Sequence, residues 1–590
     1  MRREAPYPQR ARRTPSPVAL PRTAPARTAL AGTALTRAAL TRTVLSRTAL
    51  PRTALRAVTA ATALVAVTAL TACGGGDGGA DAGVIRSSWG DPPNPLEPAN
   101  TNDVQGGKVL DMIFRGLKRY DPKTGEAKNA LAERIESPDQ RNYTVTLKKG
   151  WRFANGEKVT AASFVNAWNY GARIDHQQRN AYFFEYIEGY DKVHPATGGA
   201  PTAKTLSGLR VRNERTFTVR LTQKFSTWPK TLGYNAYVPL PRAFFEDHAG
   251  WLRKPIGNGP YQVRSYTRGS VMELRAWRGY PGPDKARNKG VDLRVYTDSN
   301  TAYTDLQAGN LDLVDDVPAQ QLKFVRSDLG DRYINQPAGI IQTLTFPMYD
   351  RAWSGPAKAG LRRGISMAIN RAQITERIFH GTRTPATDWT SPVLRHQGGY
   401  QQGLCGDACR YDPVRARKLI KAGGGLPGGR MTITYNADTG SHKEWVDAVC
   451  NSVNTVLRND RACVGKPVGT FADYRNKVAG KKMTGPFRAG WQMDYPLIQN
   501  FLQPMYYTGA SSNDGHFSDT GFDRLVNQAN AASADGRAIA GFRDAEKILA
   551  QQMPAIPLWY QNGSAGYSQR LSEVALNQFS VPVYARIRVG

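Results

Sequence analysis

One short run of this 590-residue chain, Phe487–Pro496, combines side chains of the types that bind charged groups. The run places a cation (Arg488), a large aromatic ring (Trp491) and a carboxylate (Asp494) within seven residues. A carboxylate is the natural partner of a ligand ammonium group, and a guanidinium pairs with a ligand carboxylate through parallel hydrogen bonds. The run therefore suits the binding of a zwitterion, whereas capping of a helix or turn is the ordinary alternative for Asp494.

The sequence contains none of the short motifs that mark common enzyme classes. There is no Gly-x-Ser-x-Gly elbow, no His-Glu-x-x-His pair and no Gly-x4-Gly-Lys-Ser/Thr loop. The seven histidines are dispersed without the spacing of metal ligands. The aromatic residues are not clustered in a basic stacking pattern, as nucleic-acid binding would require. We therefore expect no catalytic residues, no metal, no cofactor and no nucleic-acid partner.

The first 72 residues differ in composition from the rest of the chain. They contain twelve arginines and one acidic residue, and an Arg-Thr-Ala-Leu-x pattern recurs every five residues between residues 27 and 55. An arginine at every fifth position forms no single helix face, which favours low-complexity sequence over a membrane-binding or nucleic-acid-binding arm. The uncharged run Ala57–Ala72 has the length of a secretory signal core and is too short to span a bilayer.

The segment Leu70–Cys73 resembles the lipobox of bacterial lipoproteins, which implies cleavage before Cys73 and attachment of a lipid to its sulfur. A lone exposed thiol on a flexible tail is the alternative for Cys73. We therefore expect residues 1–72 to be a signal peptide with an Arg-rich low-complexity extension. Residues 73–83 are then a lipidated cysteine followed by a flexible Gly-rich tether.

The 518 residues that follow the first 72 are still basic. Of the 79 Lys and Arg and the 48 Asp and Glu in the whole sequence, twelve Arg and Glu4 belong to the first 72 residues, which leaves a net charge of +20. This balance favours acidic partners or an anionic envelope surface, although a solvated basic surface is the simpler interpretation. A chain of this length exceeds one hydrophobic core, so we expect roughly two to four domains.

Four cysteines remain after Cys73: Cys405, Cys409, Cys450 and Cys463. An even number of cysteines in an exported chain predicts disulfides, most simply between the sequence neighbours Cys405 and Cys409 and between Cys450 and Cys463. Metal binding is the weaker alternative, because the Cys-x-x-Cys spacing is absent and no histidine is close enough in sequence to complete a ligand set.

The candidate residues must be positioned by strands and helices. Strand-like and helix-like segments alternate along the chain. Residues 84–90 are predicted as a short strand, and residues 143–147 alternate in polarity as a half-buried strand does. Thr160 is placed to cap a helix with Phe164 on its apolar side. Alternation of strands and helices predicts α/β domains.

Several of these segments also carry a family pattern. The stretch from Tyr120 to Ala161 contains Tyr-Asp-x-x-Thr-Gly, Leu-Ala-Glu and Leu-Lys-Lys-Gly-x-x-Phe-x-x-Gly-x-x-Val-Thr-Ala in that order. With the Gly-x-Gly-Pro-Tyr turn at Gly257–Tyr261 and the Arg-Ala-Gly-Trp-x-x-Asp-Tyr run, it resembles extracellular solute-binding family 5, the oligopeptide- and dipeptide-binding lipoproteins of ABC importers. The resemblance covers nearly the whole chain from about residue 84 to 590.

The resemblance implies an α/β, periplasmic-binding-protein-like fold (type II, cluster C) with two hinged lobes and an extra domain in the N-terminal lobe. The implied boundaries are 84–114, 223–336 and 559–590 for a discontinuous lobe I, 115–222 for the inserted domain and 337–558 for lobe II.

The resemblance also implies which side chains bind the ligand. Asp494 is expected to hold the α-amino group of a peptide, with Trp491 and Tyr495 as walls of its pocket.

Three further residues complete the candidate set. Arg488 is expected to pair with a ligand carboxylate or a neighbouring acid, and a structural salt bridge is its alternative. Arg475 matches the family pattern more loosely. Tyr182 is expected to reach the ligand from the other lobe, and a core aromatic role is its alternative.

The function implied is that of a receptor, not an enzyme. We expect a monomer, lipid-anchored on the extracytoplasmic face of the bacterial cell membrane, that closes over a short peptide and delivers it to the transmembrane subunits of an ABC importer. One alternative is a receptor for a non-peptide solute such as an oligosaccharide, an opine or a metal chelate. Another is a peptide-signal sensor or surface adhesin without a transport role.

Overall fold

The computed structural model describes residues 82–196, 198–437 and 442–590. The predicted signal peptide with its Arg-rich extension, Cys73 and the tether up to residue 81 lie outside the described residues. Within the described part, no helix is long and apolar enough to cross a bilayer.

The strands of the described residues are two to thirteen residues long. In chain order they are β1 (Val84–Trp89), β2 (Lys118–Tyr120), β3 (Ala127–Asn129), β4 (Ala132–Glu136), β5 (Asn142–Leu147), β6 (Leu209–Asn213), β7 (Thr216–Arg220), β8 (Tyr261–Thr267), β9 (Val271–Ala276), β10 (Gly290–Val295), β11 (Leu313–Val314), β12 (Tyr333–Thr345), β13 (Arg383–Pro385), β14 (Met431–Asn436), β15 (Cys463–Val468), β16 (Phe487–Gln492), β17 (Ala555–Tyr567), β18 (Leu571–Ser572) and β19 (Arg588–Val589).

The α-helices lie between these strands. They are α1 (Val104–Ile113), α2 (Ala161–Ala172), α3 (Tyr190–Val193), α4 (Trp228–Thr231), α5 (Arg242–Glu246), α6 (His248–Arg253), α7 (Ser299–Gln307), α8 (Val325–Leu329), α9 (Ala359–Met367), α10 (Arg371–Phe379), α11 (Pro413–Ala422), α12 (His442–Leu457), α13 (Phe471–Ala479), α14 (Gln499–Tyr506), α15 (Thr520–Asn530) and α16 (Asp535–Gln552).

The largest sheet has the strand order β15-β14-β16-β12-β17-β11-β1-β10-β9-β8, with β13 paired to β17 as well. It is mixed: β14 and β15 are parallel, as are β1 and β10, whereas β12 is antiparallel to both β16 and β17. Parallel neighbours require crossover connections, and the helices between these strands provide them. The mixed α/β class predicted from the sequence is confirmed.

A separate antiparallel sheet, in the order β4-β5-β7-β6, packs against α2. The ring of Phe164 in α2 stacks on Phe217 of β7 with 5.9 Å between centroids. The Thr160 side chain accepts from the Ser163 N–H and so caps α2, as predicted. Tyr143, at the start of the predicted strand, is buried.

The longest strands, β12 and β17, pair with each other along most of their length and run between two hydrophobic cores. Ile341 of β12 belongs to a core that extends through residues 341–560, whereas Tyr567 of β17 packs against a core whose members lie mainly between Ile85 and Leu293. The predicted boundaries after residues 336 and 558 fall inside these two strands. The domain boundaries themselves stay predictions.

Both predicted disulfides are present in the structure. Cys405 is bonded to Cys409 in the loop before α11, and Cys450 in α12 is bonded to Cys463 at the start of β15. The second bond therefore ties a helix of the core to the edge strand of the largest sheet.

Replacement of both Cys450 and Cys463 by alanine should lower the free energy of unfolding by about 3 kcal/mol, because their bond restricts a loop with a sequence separation of 13. The matched double variant at Cys405 and Cys409, with a separation of 4, should lose about 2 kcal/mol. Urea denaturation followed by tryptophan fluorescence measures both values. A smaller loss at the longer loop than at the shorter one would contradict this expectation.

Candidate functional site

Asp494 lies two residues beyond the end of β16, where the chain turns towards α14. The Met493 N–H donates to the Gly339 carbonyl, which extends the β12–β16 ladder to this point. The Asp494 N–H donates to Asn500 Oδ1 (2.8 Å), and Asn500 Nδ2 donates to Asp494 Oδ2 (3.0 Å). Asn500, the second residue of α14, therefore fixes both the backbone and the carboxylate of Asp494.

Two tyrosines from a distant part of the chain complete the surroundings of this carboxylate. The Tyr182 hydroxyl lies 3.5 Å from Asp494 Oδ2, and the Tyr234 hydroxyl is close enough to lower the pKa of the carboxyl group. Burial raises the pKa of Asp494 to about 6, although the hydrogen bonds from Asn500, Tyr234 and Tyr182 lower it. No described residue forms an ion pair with Asp494. The site thus holds a carboxylate that only neutral donors stabilise.

Trp491 and Tyr495 flank Asp494 and have different contacts. Trp491 Nε1 donates to Asn500 Oδ1 (3.0 Å), the same oxygen that accepts from the Asp494 N–H. Tyr495 is buried, its hydroxyl donates to the Gln499 side chain, and its ring lies 6.3 Å from that of Phe183. Tyr495 therefore joins the Asp494 segment to the part of the chain that carries Tyr182.

A cavity of about 170 Å³ opens onto Asp494. Its walls come from the start of α1 and from residues 233–235, 492–494 and 577–581, with Tyr120. Asp494 is only partly covered by its neighbours. A small cationic group in the cavity therefore has access to the carboxylate.

The backbone of β16 is open along one edge beside this cavity. One edge pairs with β12, and on the other edge only Phe487 pairs, with Thr434 of β14, among the described residues. In an antiparallel ladder, alternate residues turn their N–H and C=O groups away from the partner strand. Since Met493 bonds to the β12 side, Gly490 and Gln492 face the other edge. Gly490 is exposed, and a Cβ atom there would meet the Ile341 carbonyl oxygen of β12 at 2.7 Å, so glycine suits the pairing with β12.

Arg488 lies at the start of the same strand, held by side chains of β14 and α13. Its Nε donates to Asn436 Oδ1 (2.8 Å), and its guanidinium lies 5.1 Å and 5.3 Å from the ring centroids of Phe471 and Tyr474. Rings at this distance attract a cation and restrict its orientation. Arg488 is six residues from Asp494, about 20 Å along an extended chain.

Arg475 has a different partner. Its two terminal nitrogens lie 2.6 Å and 3.1 Å from the two carboxylate oxygens of Asp514. This is a bidentate ion pair, and Arg475 is not among the residues that line the Asp494 cavity. The structure therefore brings Asp494, Trp491, Tyr495 and Tyr182 together and places Arg475 elsewhere.

The sequence patterns do not predict two of the residues that contact Asp494. For Asn500 a signal exists, since a polar residue between Leu497 and Phe501 interrupts an apolar run, and buried amides of this kind need hydrogen-bond partners. For Tyr234 we find no local signal, because its contact with Asp494 depends on tertiary structure alone.

The sequence model described as bacterial extracellular solute-binding proteins, family 5 (middle region), matches residues 126–513. The chain belongs to this family. Family 5 consists of solute-binding proteins of the extracytoplasmic side rather than enzymes, and the fold is that of the type II periplasmic binding proteins.

Relatives in family 5 match the chain over most of its length. The oligopeptide-binding protein OppA of Bacillus subtilis is 22% identical over 540 residues, which cover 86% of this chain and 94% of that protein. The glutathione-binding protein GsiB of Escherichia coli K12 is 24% identical over 491 residues, covering 81% and 89% respectively.

Solved structures are similar as well. The murein tripeptide-binding protein MppA of Escherichia coli has a TM-score of 0.72 at 21% identity and covers 86% of this chain and 98% of that chain. OppA of Haemophilus influenzae in complex with the peptide RPPGFSPFR has a TM-score of 0.71 at 18% identity, covering 86% and 99%. At these identities the likeness establishes the fold.

In the variant Asn500→Ala the pKa of Asp494 should rise above 6, because loss of the amide donor destabilises the ionised carboxylate. The measurement is an NMR titration of the Asp494 carboxyl carbon, assigned by its loss in Asp494→Asn. The matched control is Asn527→Ala, since Asn527 donates to the Tyr507 hydroxyl instead. An unchanged or lower pKa in Asn500→Ala would refute the role given to Asn500.

Proposed function

We propose that this family 5 protein is a lipid-anchored extracytoplasmic receptor that binds short peptides by their amino terminus and delivers them to an ABC importer. The observation that carries the proposal is the Asp494 carboxylate, which faces a cavity, accepts only neutral hydrogen bonds and has no cationic partner among the described residues.

The ammonium group of a peptide suits this carboxylate in charge and in hydrogen bonding. An ionised carboxylate that is partly withdrawn from water is destabilised unless a cation pairs with it. A primary ammonium group carries three N–H donors, so it can bond to Asp494 while the hydroxyls of Tyr182 and Tyr234 remain in contact. A guanidinium is larger and planar, and it would displace these hydroxyls.

The open edge of β16 supplies partners for the peptide backbone. An extended peptide that lies along Gly490 and Gln492 gains hydrogen bonds of the kind that an added strand makes. Such bonds involve main-chain groups alone, so they impose little preference on side chains.

Arg488 is the proposed partner of the peptide carboxylate. Phe471 and Tyr474 hold its guanidinium on the same strand, about 20 Å from Asp494 along the chain. Since an extended peptide spans about 3.3 Å per residue, roughly four to six residues reach from one group to the other. Longer peptides would leave Arg488 without this contact.

Hinge closure is the proposed mechanism of capture. Tyr182 and Tyr234 contact Asp494 across the site, although they are separated from it by hundreds of residues, and β12 and β17 run between the two hydrophobic cores. A ligand shifts an open–closed equilibrium only as far as its affinities for the two states differ. A peptide that contacts both sides binds the closed state more tightly and therefore favours closure.

The relatives support a peptide ligand by their names. OppA proteins are named for oligopeptides, DppE of Bacillus subtilis for dipeptides, GsiB for glutathione and MppA for a murein tripeptide. These ligands share a peptide or peptide-like backbone with a charged end. The lipid anchor at Cys73, the monomeric state and the permease partner rest on the Leu70–Cys73 motif and on the family alone.

Replacement of Asp494 by alanine should weaken the binding of a pentapeptide by about 2–5 kcal/mol, the cost of removing one member of a buried charge pair. Isothermal titration calorimetry measures this loss of binding free energy, with a free and an N-acetylated form of the same peptide. Wild type should prefer the free form, and the variant should bind both forms about equally.

The matched control for this prediction is Asp544→Ala, since Asp544 is exposed and pairs only with Lys547 in its own helix. It should leave the affinity unchanged. Equal affinity of wild-type protein for the free and the acetylated peptide would remove Asp494 from the ammonium site.

The affinity for a free peptide should also decrease as the pH falls below 6. Binding of an ammonium group favours the ionised form of Asp494, whose pKa is about 6 in the free protein, so protonation competes with the ligand below this value. The expected loss is up to tenfold per pH unit. Titrations between pH 5 and 7 test this, and Asp494→Asn should lack the decrease. An affinity that rises towards pH 5 would contradict the prediction.

A further inference from the structure

A second cavity, of about 360 Å³, lies next to the Asp494 site and shares Tyr182 and Tyr495 with its surroundings. This volume lies within the usual range of small-ligand pockets, roughly 300–1,000 Å³. Its walls are largely aromatic, with contributions from Tyr182, Tyr186, Phe225, Tyr237, Tyr495 and Tyr507. The remaining wall residues, such as Gln503 and Asn527, are mainly small or neutral polar side chains.

Among the described residues, Glu185 is the single charged residue that lines this cavity. It follows the short 3₁₀ helix Ala181–Phe184, and a three-residue period places it on the same face as Tyr182. No described residue donates a hydrogen bond to its carboxylate or forms an ion pair with it. The carboxylate thus faces the cavity without a partner.

Glu185 is exposed, and the surrounding protein nevertheless affects the ionisation of its carboxyl group. Withdrawal from water raises the pKa of Glu185 to about 7. Burial raises the pKa of Tyr186 and Tyr190, and the negative charge of Glu185 adds to both shifts. The Glu185 carboxylate therefore interacts electrostatically with neighbouring tyrosines, and it remains accessible to a ligand.

The chemistry of the cavity walls determines which class of ligand group, cationic, anionic or apolar, fits the cavity. Aromatic ring faces attract a cation that lies within about 6 Å, and the carboxylate supplies a full opposite charge. An anionic group would meet Glu185 and the negative faces of the rings. A purely apolar group would supply no opposite charge to the carboxylate.

We propose that the Glu185 cavity binds an organic cation, an ammonium or guanidinium group, with Glu185 as its counter-ion and the tyrosine rings as its walls. Two sources carry this chemistry: a Lys or Arg side chain near the amino terminus of a bound peptide, or a free amine. The first source rests on the proposed function.

The position of the cavity connects it with the amino terminus of the ligand. Tyr182 lines the cavity, and its hydroxyl lies 3.5 Å from Asp494 Oδ2. A side chain that enters beside Tyr182 therefore belongs to one of the residues closest to the ammonium group. The site makes Glu185 a specificity-determining residue, distinct from Asp494, which contacts the ammonium group itself.

The experiment is a calorimetric comparison of peptides that differ only in one charge. Pentapeptides of alanine carry lysine or its uncharged counterpart norleucine at position 1, 2 or 3, and each is titrated into wild-type protein and into Glu185→Gln. We expect lysine to bind about tenfold more tightly than norleucine at one of the first two positions in wild type, and equally in Glu185→Gln. A second arm titrates agmatine, a guanidinium amine without a peptide, into protein with and without a saturating norleucine peptide.

The matched control is Glu188→Gln, three residues away. Glu188 pairs with Arg220 (Nη2 to Oε1, 2.5 Å) and does not line the cavity, so this variant should keep the lysine preference. Binding of agmatine that disappears in Glu185→Gln, with no lysine preference, would assign the cavity to free amines. A lysine preference or agmatine binding that persists in Glu185→Gln overturns the proposal, as does the absence of both.

The two proposals fail in different ways. If no peptide binds to the folded protein, the proposed function is wrong, and the agmatine arm still decides the role of Glu185. If peptides bind without regard to lysine and agmatine does not bind, the role of Glu185 is wrong and the peptide receptor stands.

Discussion

The arrangement of the site depends on one constraint: a carboxylate held partly out of water by neutral donors. Asn500 fixes Asp494 from the following helix, and Tyr182 and Tyr234 reach it from a distant part of the chain. None of these donors carries a charge, so the negative charge of Asp494 is stabilised only in part, and its pKa is raised to about 6. In the proposed function, a cationic ligand pairs with this charge. The same interaction would then link ligand charge to closure, because the donors come from segments far apart along the chain.

The overall charge of the chain is a poor guide to the ligand. The sequence after residue 72 carries a net charge of +20, yet carboxylates line both cavities, and two of them, Asp494 and Glu185, lack cationic partners among the described residues. The cation nearest in sequence to Asp494, Arg488, is held between two aromatic rings at the start of the strand. Local charge therefore opposes net charge at these cavities, and in the proposed function it determines which end of the ligand binds there.

Much of the fold follows from local sequence signals. The alternation at Tyr143–Leu147, the Thr160 cap and both disulfides between sequence neighbours appear in the structure as predicted, because each depends on residues that are close along the chain. The candidate site could be predicted from the sequence less completely. Asp494, Trp491 and Tyr495 share one run, but Tyr182 is 312 positions from Asp494, and its place at the site was implied by family resemblance alone. Tyr234 and Glu185 have no local signal, since the packing of remote segments determines what they face.

The most direct test of the central claim is native mass spectrometry of the protein as purified, followed by release and sequencing of whatever it carries. The account predicts a mixture of short peptides of roughly four to six residues, all with an unmodified α-amino group. A single non-peptide compound, or peptides whose amino termini are blocked, would contradict it. So would protein that stays without ligand when it is offered a mixture of free peptides.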